Sequence, residues 1–113
     1  MANNFINKKA DLTTTALTTL YTVPTAKTAV VKSILVSDDS GSGTTIDITL
    51  LNSSSAIFSL FKSKSISGNA TAELLTQPLV MEESEILKVQ SGCANRLHVV
   101  ASILEIQPRE VVT

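Results

Sequence analysis

Apolar residues in this chain recur at every second position and almost never at helical spacing. The clearest run, Thr44-Thr45-Ile46-Asp47-Ile48-Thr49-Leu50, sets Ile46, Ile48 and Leu50 on one side and Thr45, Asp47 and Thr49 on the other. Successive side chains of a strand point to opposite faces, so this pattern describes a sheet with one dry face and one wet face. The polar positions carry hydroxyls rather than reactive groups, which makes a binding or structural surface easier to build from them than a catalytic site.

The remaining segments follow the same rule. Leu12 to Val23 is rich in Thr and Leu and stops at Pro24, which opens a turn over Pro24-Thr25-Ala26-Lys27. Lys27 to Ser37 is apolar on both phases for part of its length, which places it centrally in a sheet. Asp38 to Gly43 has the composition of a hairpin loop. Ala56–Lys62 reads as a strand, with helix the alternative for so short an apolar run. Further strands are expected over Thr71–Thr76 and Leu79–Met81, then Glu85–Gln90, where Leu87 and Val89 oppose Ile86 and Lys88. Arg96–Ile106 follows, with Leu97, Val99, Ala101 and Ile103 on its buried face. The sum is about seven or eight short strands with turn signals every eight to twelve residues, the spacing of an antiparallel β-sandwich or small barrel. Residues 1–11 are polar and aperiodic and read as a flexible N-terminal arm. Residues 12–107 form one β-sandwich domain, and 108–113 a short C-terminal tail.

Composition limits the core and the partners. Aromatics make up 4% of the 113 residues and Trp is absent, so the core is built from Val, Ile and Leu. The formal net charge of −1, with Lys and Arg scattered, opposes a role in neutralising phosphates or anionic lipid. Neither nucleic acid nor a membrane is expected as a partner. No run reaches the roughly 18 apolar residues of a membrane span, and the N-terminus has no secretory pattern. Cys93 is the single cysteine, which excludes an internal disulfide and a thiolate metal site.

Candidate chemistry is sparse. His98 is the one histidine, lies within the last strand on the face opposite Leu97 and Val99, and reads as a surface or interface residue. No serine sits in a nucleophile elbow. Asp38-Asp39-Ser40-Gly41-Ser42-Gly43 lacks the bidentate acid of a calcium loop, since the twelfth position is Thr49. Glu82, Glu83 and Glu85 form the one acidic cluster and read as a solvated turn or as half of an interface with a basic partner. Asn52-Ser53-Ser54 and Asn69-Ala70-Thr71 match the glycosylation pattern by chance. No catalytic residue, cofactor or metal ligand is assigned.

Two stretches carry a resemblance. Thr19-Leu20-Tyr21-Thr22-Val23-Pro24-Thr25-Ala26-Lys27-Thr28-Ala29-Val30-Val31-Lys32-Ser33-Ile34-Leu35-Val36, with the strand through Ile46 and Ile48 after it, resembles small virion structural proteins of tailed bacteriophages. Leu79 to Val89 resembles a second segment of the same proteins. The resemblance implies a jelly-roll-like β-sandwich without catalytic residues, located in the virion after synthesis in the cytoplasm of an infected bacterium. It implies a capsid decoration (cement) protein that binds the major capsid protein or other virion proteins, as a homo-oligomer with a trimer favoured. A neck, tail or fibre-attachment component is the alternative. A host-surface carbohydrate-binding module ranks lower, because sugar sites usually use aromatic platforms. The arm Ala2 to Leu12 and the loop Asp38 to Gly43 are the expected contact segments.

Overall fold

A computed structural model describes residues 2–107; Met1 and the tail expected over 108–113 lie outside the described residues. The described chain holds nine strands and no helix: β1 (Ala2–Leu12), β2 (Thr18–Thr22), β3 (Thr28–Asp38), β4 (Thr44–Leu51), β5 (Ile57–Ile66), β6 (Thr71–Glu73), β7 (Leu79–Met81), β8 (Ile86–Ser91) and β9 (Leu97–Gln107). Two antiparallel sheets face each other. One runs β1-β9-β3-β6, with β7 also paired to β3, and the other runs β2-β8-β4-β5. The chain crosses between the sheets from β1 to β2, β2 to β3, β3 to β4, β5 to β6, β7 to β8 and β8 to β9, while β4 and β5 are neighbours in one sheet and β6 and β7 both pair with β3 in the other.

Alternation places the core where the sequence puts it. Ile46 and Ile48 of β4, Leu87 and Val89 of β8, and Val99 and Ala101 of β9 are fully buried between the sheets. Bulges account for the places where strict alternation fails. In β3 the buried set runs Ala29, Val31, then Ile34 and Val36, and the change of phase coincides with a register shift between Val31 and Ser33 against β9. One extra residue turns the strand by one position, so that both halves present apolar side chains inward. In β2 a shift between Thr19 and Tyr21 buries Leu20 and Tyr21 side by side.

Three expectations need correction. The arm over residues 1–11 is not free: Ala2 to Leu12 pairs with β9 in unbroken register, from Ala2 opposite Gln107 to Leu12 opposite Leu97. Its inward phase holds Ile6, Ala10 and Leu12, but Lys8 stands among them, and this lysine interrupts the apolar alternation by which a strand is recognised. The β-rich stretch from Leu12 to Val23 divides, because Leu12 ends β1 and the chain turns before Thr18. The strand expected over Ala56–Lys62 continues to Ile66 through Ser63, which takes a left-handed φ of 52° and donates its backbone N–H to Asp47 Oδ1 at 2.6 Å. These additions bring the strands to nine.

Candidate interaction surface

The polar segments singled out in the sequence mostly hold the fold together. Asp38 is buried, and its Oδ1 accepts from Ser40 N and Ser40 Oγ at 2.8 Å and from Gly41 N at 3.1 Å. Burial alone would raise this carboxyl, but those hydrogen bonds, with one from the Asn69 backbone, hold it below the ordinary carboxylate value. The loop is therefore self-capped around its acid. The acidic turn is built in the same manner: Glu85 Oε1 accepts from Glu82 N at 2.8 Å while Ser84 takes φ 70°. Cys93 sits in a turn, with its carbonyl accepting from Ser91 Oγ at 2.6 Å.

His98 gathers the two segments expected to make contacts. Its Nε2 lies 3.1 Å from Asp11 Oδ1 at the end of β1, and its Nδ1 lies 3.7 Å from Asp39 Oδ2 in the β3–β4 loop. The arm and the loop thus meet on the outer face of the first sheet, around a half-exposed imidazole. Among the described residues no group of three or more His, Cys, Asp or Glu is arranged to hold a metal ion.

A buried polar network links the sheets. Tyr21 Oη donates to Glu105 Oε2 at 2.5 Å and Lys27 Nζ donates to Glu105 Oε1 at 3.2 Å. Burial, then the hydrogen bond to Glu105 and its charge, push the Tyr21 phenol far above its ordinary value. Burial would also raise Glu105, but the bonds from Tyr21 and Lys27 and the charges of Lys27 and Lys8 hold its carboxyl below the ordinary range. Every member of this network has a partner within the fold, which makes it a structural device.

The outer face of the first sheet is the surface that the sequence did not reveal. Four apolar residues stand level across it. Val80 of β7 is opposite Val30 of β3, Val30 is opposite Leu104 of β9, and Leu104 is opposite Phe5 of β1. Phe5 is 76% exposed and Val80 58%. A second level row, Glu73–Leu35–Val100–Lys9, lies further along the same strands. Its Leu35 is 39% exposed, and both charged ends are exposed. The available signal is the apolar runs Ala29-Val30-Val31 and Ile103-Leu104, in which the outward phase is as apolar as the inward one. Only strand register shows that these residues align.

The concavities of the surface are open grooves. One lies over the second sheet between Leu17, Thr49, Leu51 and Lys88, where the Thr49 hydroxyl is buried without a hydrogen-bond partner. Another lies beside the acidic turn, lined by Thr28, Ser53, Val80 and Glu82 to Ser84.

No protein-family profile matches the chain, and no curated protein matches it in sequence. Among solved structures it is similar to a chain of the acid-stable capsid of Helicobacter pylori bacteriophage KHP30, at 9% identity and a TM-score of 0.58. That alignment covers 99% of this chain and 92% of that one. It is also similar to a chain of the Bacillus endospore appendages, which are disulfide-linked pili, at 8% identity and a TM-score of 0.56. Here 92% of this chain and 85% of that one are covered. These likenesses show the fold. Both matched chains are nearly the size of this one, so the sandwich is shared as a whole unit.

Proposed function

We propose that this chain is a non-enzymatic structural protein of a bacteriophage virion, and within that class a capsid decoration protein that binds the assembled shell. The observation that carries the reading is the end-to-end likeness to a chain of a phage capsid. The sequence resemblance of Thr19 to Val36 and Leu79 to Val89 to small virion proteins points the same way. The described surface fits such a part: its conspicuous feature is a broad sheet face with apolar rows, and its polar clusters are spent on turns and on the inter-sheet network. A protein of this kind works through repeated moderate contacts on a symmetric lattice, where simultaneous engagement multiplies affinity. Its partners are the major capsid protein and further copies of itself.

The test is the number of copies per purified virion, by quantitative mass spectrometry against the major capsid protein. A ratio near one, or a simple fraction of one, supports decoration. A count that fills only one or a few rings moves the chain to the neck, tail or fibre attachment. Absence from the virion overturns the reading.

A further inference from the structure

Each of the two rows on the outer face of the first sheet is complementary to itself reversed end for end. We propose that this face is the contact between two copies of the chain, packed sheet to sheet about a two-fold axis that runs parallel to the strands between β3 and β9. Such a rotation exchanges β9 with β3 and β1 with the β6/β7 edge while keeping each row level. Phe5 then meets Val80 of the second copy, and Leu104 meets its Val30. The large side chain at one end of the row faces the small one at the other, and every contact occurs twice, as an isologous interface requires.

The second row gives the same answer independently. The rotation sets Leu35 on Val100 and Lys9 on Glu73, so apolar meets apolar and cation meets anion. Glu73 is already held in place, because its Oε2 accepts from Ile34 N at 3.0 Å and from Leu75 N at 3.2 Å. A two-fold axis laid across the strands sets each strand against its own copy. At the level of the second row it brings Lys9 onto Lys9 and Glu73 onto Glu73, and midway between the rows it brings Lys9 onto Phe5 and Glu73 onto Val80, so in neither placement does cation meet anion.

The face is near the lower size of a stable contact. Its three strands of 11 residues extend about 37 Å at ~3.4 Å per residue and lie ~4.8 Å apart, and with the three-residue β6 and β7 they give a flat area of about 640 Å². A stable interface needs about 800 Å² of accessible surface per partner, and a face with side chains standing on it presents more than its flat area.

The inference supplies the virion reading with a specific self-contact, and it departs from the trimer that the resemblance implies. Its test uses the purified chain with Cys93→Ser. In one copy Phe5 and Val80 are three strand spacings apart, about 14 Å, whereas facing positions of two packed sheets are about 10 Å apart with their side chains pointing at each other. Both separations exceed the roughly 7 Å limit of a disulfide, so the Phe5→Cys/Val80→Cys double variant is treated with a bifunctional thiol reagent shorter than the separation within one copy. It is expected to give a covalent dimer at twice the 12.0 kDa of the chain, and neither single variant to do so. Lys9→Glu alone and Glu73→Lys alone are expected to weaken the unlinked dimer about tenfold in sedimentation equilibrium, and the two together to restore it. Both residues are exposed, but Glu73 also accepts from Ile34 N and Leu75 N, so the thermal melt of each variant is recorded beside its dimer affinity, and restoration in the double variant is the result that separates a lost contact from a lost fold. A monomer with no cross-link, a cross-link from Phe5→Cys alone, or a three-copy mass overturns the proposal. Failure here leaves the virion reading standing, and a failed copy-number count leaves the dimer standing.

Discussion

The phenol of Tyr21 on β2 donates a 2.5 Å hydrogen bond to Glu105 on β9, so one sheet is tied to the other by a charged acceptor inside the aliphatic layer. A buried carboxylate is tolerated in such a place only when its oxygens are occupied. Tyr21 supplies one oxygen and Lys27 the other.

Tyr21→Phe removes the donor and leaves the acid buried. The expected cost is about 1–3 kcal/mol, read as a lower Tm and a lower urea midpoint at pH 7. The same variant has an alkaline signature. Because the phenol is raised in the folded chain, the unfolded chain releases this proton first as pH climbs. The stability it contributes is complete below the ordinary value of 10.0 and declines above it. Stability of the native chain should therefore fall between pH 10 and 11, and Tyr21→Phe should lose that part of the fall.

Acid acts through Glu105 and Asp38, whose carboxyls lie below their ordinary values of 4.5 and 3.8. As pH falls, the unfolded chain takes up these protons first. The stability they contribute is complete above those values and disappears as pH drops through the lower, folded ones. Urea midpoints should be level from pH 6 to 8 and decline below about pH 4.5. Glu105→Gln should make the acid limb shallower; an unchanged limb would assign it to other groups.

Gly68 fixes the approach of two loops. A methyl group placed on it would stand 2.4 Å from the Gly41 carbonyl oxygen, which is backbone and cannot step aside. Gly68→Ala should cost about 1–3 kcal/mol by overpacking, whereas Ser67→Ala, at an exposed neighbour, should cost little. Thermal melts of the two variants provide the comparison.

His98→Ala should change stability by less than about 1 kcal/mol, since the pairs with Asp11 and Asp39 join exposed groups in water. Denaturant titration at pH 6 and pH 8 checks this. A loss beyond that size would mean that the imidazole clamps β1 to the β3–β4 loop.

Period two carried most of the fold. It placed Ile46, Ile48, Leu87, Val89 and the inward face of β9 correctly, because a half-buried strand writes its orientation into alternate residues. It failed at β1, where an exposed Lys8 interrupts the phase of Ile6, Ala10 and Leu12 and the pairing with β9, at the other end of the chain, is what makes the segment a strand. It also failed at Ser63, whose left-handed turn extends a strand that the sequence ends at Lys62. The interaction surface was less legible. Phe5, Val30, Val80 and Leu104 come from four strands, and nothing local to any of them indicates that they stand in one line. Register is a property of pairs, decided by bulges and turns far from the residues it aligns.

The unbroken pairing of β1 with β9 sets Ala2 beside Gln107, so the two ends of the described chain leave from the same end of the sandwich. Tension applied between them would load the ladder one rung at a time from that end, opening it as a zipper. The same strands pulled from opposite ends would share the load across the whole ladder. A tether at either terminus is therefore mechanically soft, and lattice strain is better borne across the sheet faces.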